Sequence, residues 1–419
     1  MCSVEIYPVV ELMDIYYGYR YGWLSRLLEV SDTVVLRPEA KLGKAFRRGV
    51  SIKQYLSEEY GVPVEELDGL KVMLDHGIFV GDRDFNTIFG VGKSPRSLVR
   101  VYDVLGVHYG LAYDVPSKLH VEIAVEIAVA KLLGRSSSGR VLRGLHPSVR
   151  SYVEELANVL LSYIEAGGFS SVSYSVNSLR QRVYRLVRQN VEGSVRGELR
   201  DTLYSLSERT VEETVKNLEE QVEFKARSSV NRFTLVPVVQ GLFWEHAWRC
   251  LEDTINLLVS YQELSMEDGE EYIYVAIGTG GRVLSDREIE LVNRLMEAGL
   301  GYARKAGVNV RFHILGWSNP KMARRLRLEL VYSSDSLSAR RRAVEGKVYT
   351  FTENGEIRLV HVAEIDRDLW SCSCPVCRDP KLRRFVLDPS GSRRNDARIV
   401  HNLWVVKRSI NASLHMYSM

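Results

Sequence analysis

Short runs rich in apolar residues punctuate the chain at 33–36, 70–74, 109–113, 233–239, 272–277, 308–315 and 328–332. Where they are continuous in Val, Ile and Leu they lack the in–out alternation of a half-exposed strand, and so predict strands buried on both faces, as in parallel sheets. Helical periodicity lies between several of them, for example at 244–258 and 285–306. Strand and helix therefore alternate, which predicts an α/β chain. Seven or eight such units predict a (β/α)8 TIM barrel.

Polar residues follow the runs: Asp75-His76-Gly77, Asp114-Val115-Pro116-Ser117, Gln240-Gly241, Gly278-Thr279-Gly280-Gly281, Gly316-Trp317-Ser318 and Ser334-Asp335-Ser336. In a barrel the C-terminal strand ends meet on one face, where catalytic residues gather. Asp75, Asp114, Asp335 and Gln240 would then surround one mouth. Asp, Gly and Ser also terminate strands and cap helices. That plainer role accounts for any one of these positions, and less well for the set.

The pattern changes between about 145 and 231, where Arg, Glu, Val and Leu recur at helical spacing. It predicts a helical insertion between two barrel strands. A lid, a partner surface or a nucleic-acid arm are its functional readings, and a solvated amphipathic pair is the plain one. The expected organisation is 1–144 for the first part of the barrel, 145–231 for the insertion, 232–360 for the rest of the barrel, and 361–419 for a zinc-binding subdomain.

Composition adds little to this picture. Of 419 residues, 45% are hydrophobic and 26% charged, values of an ordinary globular protein. A net charge of +3 excludes a histone-like basic tail, so any nucleic-acid contact must come from local patches. No apolar stretch of ~20 residues predicts a membrane span. The first residues show no basic region leading into an apolar run, which predicts no signal peptide. With unpaired thiols, this points to a reducing cytoplasm.

Cysteine usage changes the picture more. Three of the five cysteines fall at Cys372, Cys374 and Cys377, with His401 downstream. Thiolates at that spacing can face one ion, and a later imidazole can close the tetrahedron, the usual ligand set of structural Zn²⁺. An odd group of three argues against a disulfide. A set of four protein ligands leaves no open position, which disfavours a catalytic zinc.

Taken together, these residues resemble the tRNA-guanine transglycosylase family, whose members place a Cys-x-Cys-x-x-Cys…His zinc site just after a (β/α)8 barrel. Asp75-His76-Gly77-Ile78-Phe79 resembles the family's Asp-Ser-Gly-(Gly/Ala)-Phe, and Tyr113-Asp114-Val115-Pro116 its Leu-Asp-Ile-Pro. Val238-Val239-Gln240-Gly241 is similar to its Val-Gln-Gly, Gly280-Gly281 to its Gly-Gly turn, and Ser334-Asp335-Ser336 to its Phe-Asp-Ser. Order and approximate spacing agree from about residue 70 onward.

The resemblance implies exchange of a guanine in tRNA, or in DNA for a divergent branch, for a 7-deazaguanine base. It implies Asp335 as a nucleophile on C1′ and Asp75 as the carboxyl that manages protons. Asp114 and Gln240, with Gly241, would read the flipped base, and the backbone at Gly280 and Gly281 would approach its carbonyl. Zn²⁺ on Cys372, Cys374, Cys377 and His401 would be structural. Arg340, Arg341 and Arg342, and Arg383 and Arg384 beside the zinc ligands, are candidate phosphate contacts, with solvated faces as the plain reading. Departures occur at His76, Val80, Trp317-Ser318 and Ser334, around the pocket, and bear on substrate identity more than on reaction type. The family also contains homodimers and an inactive accessory subunit. Retention of Asp75, Asp114, Gln240 and Asp335 favours the enzyme over that role.

Overall fold

The computed structural model describes residues 3–76, 82–135, 145–166, 175–193, 197–228, 230, 232–267, 270–278, 286–317, 325–352, 354–367, 370–389 and 397–417. Its main sheet comprises β1 (Glu5–Val10), β2 (Thr33–Leu36), β3 (Lys71–Leu74), β4 (Tyr109–Leu111), β5 (Thr234–Val236), β6 (Val238–Val239), β7 (Ser265–Glu267), β8 (Glu270–Gly278), β9 (Asn309–Leu315) and β10 (Val331–Ser336). The strands lie in the order β5-β4-β3-β2-β1-β10-β9-β8-β6, all paired in parallel, with β7 antiparallel against β8.

The two ends of this order, β5 and β6, are separated in sequence by Pro237 alone. Val236 O accepts from Ala112 N at 2.9 Å on one side, and Pro237 O accepts from Ala276 N at 2.8 Å on the other. The sheet is therefore nearly closed and TIM-barrel-like. Proline has no N–H to donate, which breaks the ladder at that residue.

Two cores explain the apolar runs. Alternate residues, including Tyr7, Val9, Val35, Met73, Tyr109, Val236 and Tyr274, pack inside the sheet. The others, such as Ile6, Val34, Leu36, Val72, Leu74 and Ile277, pack outward against helices. A strand buried on both faces has no polar face to alternate with.

Helices Arg150–Ala166, Val176–Glu192 and Glu198–Arg227 lie between β4 and β5. Leu199, Leu203 and Leu206 join a separate core with helices Ser117–Leu132, Arg150–Ala166 and Val176–Glu192. Further along the same helix, Val211, Leu218 and Val222 join the outer barrel core. One helix thus belongs to both bodies.

Beyond β10 come helix Ser338–Val344, the antiparallel hairpin β11 (Lys347–Phe351) and β12 (Ile357–His361), two short helices, and helix Ala397–Tyr417. Arg398 is buried and donates to Val386 O at 2.6 Å and Ala343 O at 3.1 Å, joining the C-terminal turns of two helices. Helix Ala397–Tyr417 also reaches β1, where Val4 N donates to Asn411 Oδ1 at 2.9 Å and Lys407 Nζ to Glu5 Oε2 at 2.6 Å.

Three differences from expectation have local causes. β1 contains Pro8, which argues against a central strand when read in isolation. The expected strand at 328–332 begins later, because Leu328–Leu330 form a 3-10 turn and β10 runs on to Ser336. The 233–239 run is divided at Pro237. Among the described residues, no helix is long and apolar enough to cross a membrane.

Candidate active site and metal centre

One cavity of about 180 Å³ opens at the C-terminal ends of the parallel strands. Val9, Val35, Met73, Leu111, Val238, Gly278, Leu315 and Asp335 line it, one each from β1, β2, β3, β4, β6, β8, β9 and β10. This is the face on which TIM-barrel active sites are built. The volume falls below the ~300 Å³ lower end of drug-sized pockets, so its occupant is small. Asp75, Asp114 and Asp335 all reach its wall, with Arg37, His76 and Glu122.

Each of the three aspartates has a basic neighbour. Arg37 Nε lies 3.7 Å from Asp75 Oδ2 at the more open edge. His76 Nε2 lies 2.5 Å from Asp114 Oδ1, and both side chains are buried. Asp335 Oδ1 accepts from Gly316 N at 2.6 Å and lies 3.3 Å from His313 Nε2. Ser334, fully buried where the resembling family has an aromatic, donates to Ile314 O at 2.8 Å and to Trp317 O, pinning the end of β9 beside Asp335. Paired, hydrogen-bonded carboxylates of this kind can act as acid, base or nucleophile.

Gln240 has a different position. Its Oε1 accepts from Ser117 N at 2.7 Å, and its Nε2 donates to Val115 O at 2.5 Å and Thr214 Oγ1 at 2.6 Å. It is absent from the cavity wall and braces the start of helix Ser117–Leu132 against helix Glu198–Arg227. Replacing it with Leu strands two buried backbone groups, Ser117 N and Val115 O, while Thr214 Oγ1 keeps its bonds to Val115 N and Thr210 O. At about 1–3 kcal/mol for an unsatisfied group, less relaxation, the expected loss is roughly 2–4 kcal/mol. Urea unfolding checks this, and an unchanged midpoint would refute the bracing role.

Gly241 also turns away from that cavity, lining instead a cleft between the inserted helices and helix Asp286–Lys305. Its φ is +156°, and a Cβ there would stand 2.6 Å from Ala247 N. Close packing onto helix Trp244–Ser260 therefore requires glycine, whatever the ligand. Gly280 and Gly281 lie outside the described residues.

The arginines divide. Arg340 is engaged by Glu11 at 2.8 Å and Asp14 at 2.9 Å, tying helix Ser338–Val344 to helix Leu12–Tyr21. Arg342 pairs with Glu345 at 2.7 Å, and Arg383 donates to the carbonyls of Arg367 and Trp370. The guanidinium groups of Arg340 and Arg383 thus join parts of the fold to one another. Arg341 remains 69% exposed beside Glu345, and Arg384 is exposed.

The second cluster is buried in the C-terminal lobe. The donor atoms of Cys372, Cys374, Cys377 and His401 lie within 4.8 Å of one another. His401 Nδ1 is 3.6, 3.3 and 3.6 Å from the three sulfurs in turn. Its Nε2 lies 2.8 Å from Tyr349 O, and a carbonyl only accepts, so Nε2 carries the hydrogen and Nδ1 offers its lone pair to the thiols. Cys374 N and Cys377 N point at the sulfurs of Cys372 and Cys374, at 3.5 and 3.4 Å. Hydrogen bonding from Cys374 and Cys377 holds the Cys372 thiol well below its ordinary value, favouring thiolate. The four residues form a buried site suited to a structural metal ion.

Sequence reasoning passed over Arg37 and His313. Arg37 directly follows the 33–36 run, and His313 interrupts an apolar one, which were the available signals. No protein-family model matches the chain, and no curated protein matches it.

Proposed function

We propose that the chain is a nucleic-acid guanine transglycosylase, exchanging guanine for a 7-deazaguanine base in tRNA or DNA. The observation that carries this reading is the convergence of Asp75, Asp114 and Asp335 on one small cavity, at the mouth of what would be a (β/α)8 barrel with β5 and β6 as halves of one strand. Asp335 Oδ1 is held by Gly316 N, while Oδ2 makes no hydrogen bond among the described residues. That oxygen attacks C1′ of the extruded nucleotide as the C1′–N9 bond breaks, and the bonding pair leaves with the purine. Asp75 supplies the proton that neutralises the departing base. The incoming base, deprotonated in turn, attacks C1′ and frees the Asp335 carboxylate. Asp114, buried beside His76, accepts from the N–H groups of the bound base. Extruding the base from its stack is the ordinary solution for chemistry on nucleotides.

In the same reading the Cys/His cluster of the C-terminal subdomain holds Zn²⁺. A tetrahedral zinc with Zn–S ~2.3 Å and Zn–N ~2.0 Å sets nitrogen and sulfur about 3.5 Å apart. The observed 3.3–3.6 Å separations fit that figure. When bound, the ion ties the cysteine loop to helix Ala397–Tyr417, and it lies in a different cluster from the three carboxylates.

The purified chain alone should incorporate radiolabelled guanine into unmodified tRNA or into duplex DNA. The polymer that takes the label identifies the substrate. Incorporation into neither, restored by a partner protein, would instead identify an accessory subunit.

A further inference from the structure

The interior beneath Asp335 is polar for a barrel. His313 is fully buried, with Nε2 3.3 Å from Asp335 Oδ1. Its Nδ1 lies 2.8 Å from Ser333 Oγ and 3.4 Å from Tyr274 Oη. Tyr274 also hydrogen-bonds Ser333 and meets Tyr7 Oη at 3.4 Å, and the Tyr7 ring stacks on His313. Burial pushes both phenols well above their ordinary pKa, so they remain protonated.

An ionised carboxylate only accepts hydrogen bonds, so in this contact His313 Nε2 must carry the hydrogen. On the opposite side, hydroxyls of Ser333 and Tyr274 can donate or accept, and they fix the ring in either protonation state. Among the described residues, the two hydrogen bonds to the Asp335 carboxylate therefore fall on Oδ1, one from the Gly316 backbone and one from a side chain locked from below.

We infer that His313 is a positioning residue for the reaction proposed above, on which this inference rests: it fixes Asp335 through Oδ1, so that Oδ2 is the oxygen that bonds to C1′. When the Oδ2–C1′ bond forms, the carboxylate charge is consumed and the His313 hydrogen bond weakens. When the incoming base breaks that bond, the electron pair returns to the carboxylate and the hydrogen bond strengthens. His313 thus favours release of the covalent adduct as well as orientation of the nucleophile.

The test compares His313→Leu, which removes the donor, with His313→Gln, whose amide restores one. His313→Leu should lower guanine-exchange kcat roughly 10–100-fold, leave the KM for nucleic acid within about twofold, and raise the fraction of chain trapped as adduct. His313→Gln should recover at least about tenfold of the lost turnover. Wild-type turnover in His313→Leu, or a fall in turnover without adduct accumulation, would overturn the assignment. A second arm needs no activity. In ¹⁵N-histidine spectra of the full chain, Asp335→Asn should shift the His313 Nε2–H signal, and an unmoved signal would overturn the pairing. If the wild-type chain forms no adduct with any nucleic acid, the proposed reaction falls and takes the Oδ2 assignment with it, while the spectra still decide the pair.

Discussion

Asp335→Asn is expected to abolish covalent capture of nucleic acid and to reduce guanine exchange by about 10⁴–10⁶-fold, the scale seen when a covalent nucleophile is lost. That corresponds to roughly 5–8 kcal/mol of transition-state stabilisation. The amide keeps the shape of the carboxylate, and an Asn Oδ1 can still accept from Gly316 N and His313 Nε2. The fold should therefore persist, with thermal unfolding close to that of the wild type. Denaturing gels with labelled tRNA and labelled duplex DNA measure the capture. Full exchange by Asp335→Asn would sink the nucleophile assignment, because turnover would then proceed without that carboxylate.

Metal removal should have the largest effect on stability. Structural zinc contributes about 10–16 kcal/mol of binding free energy in small zinc domains, comparable with the entire ~5–15 kcal/mol stability of a typical protein. Strong chelation, or Cys377→Ser, should unfold the C-terminal lobe and lower the melting temperature by more than about 10 °C. Elemental analysis should return about one metal per chain, the number expected of a single four-ligand structural site. An unchanged melting curve after chelation would exclude a structural ion at this cluster. The loss should spread beyond the lobe, since His401 stands on helix Ala397–Tyr417, which also packs on helix Ser338–Val344 and hydrogen-bonds the start of β1.

The parallel sheet was legible because both of its faces are buried, so strands such as Thr33–Leu36 and the 272–277 part of β8 appear as plain apolar runs. β1 was hidden by Pro8, whose missing N–H is tolerated in that ladder but reads as a strand breaker. The hairpin β11–β12 was missed as well. Its strands are only partly buried and carry Thr, Arg and Lys among the apolar positions. Asp75, Asp114 and Asp335 were legible because barrel topology brings strand ends together whatever their separation in sequence. Gln240 shows the limit of that logic. It follows β6 as the aspartates follow theirs, yet its amide matches the backbone groups of Val115 and Ser117, and that local pairing wins. No pattern in the sequence reports which way a side chain at a strand end turns. The cysteine cluster was legible for the opposite reason, since three of its ligands are close neighbours in the chain.

The bond between Val4 and Asn411 spans 407 residues. A ribosome adding about 5–20 residues per second takes roughly 20–80 s to cover that distance. Until Ser336 has been made, β1 can pair with β2 but lacks β10, its other neighbour, and until helix Ala397–Tyr417 follows it lacks the helix that covers it. A nascent chain therefore carries an apolar, half-paired strand for tens of seconds, which makes it a natural client for chaperones during synthesis.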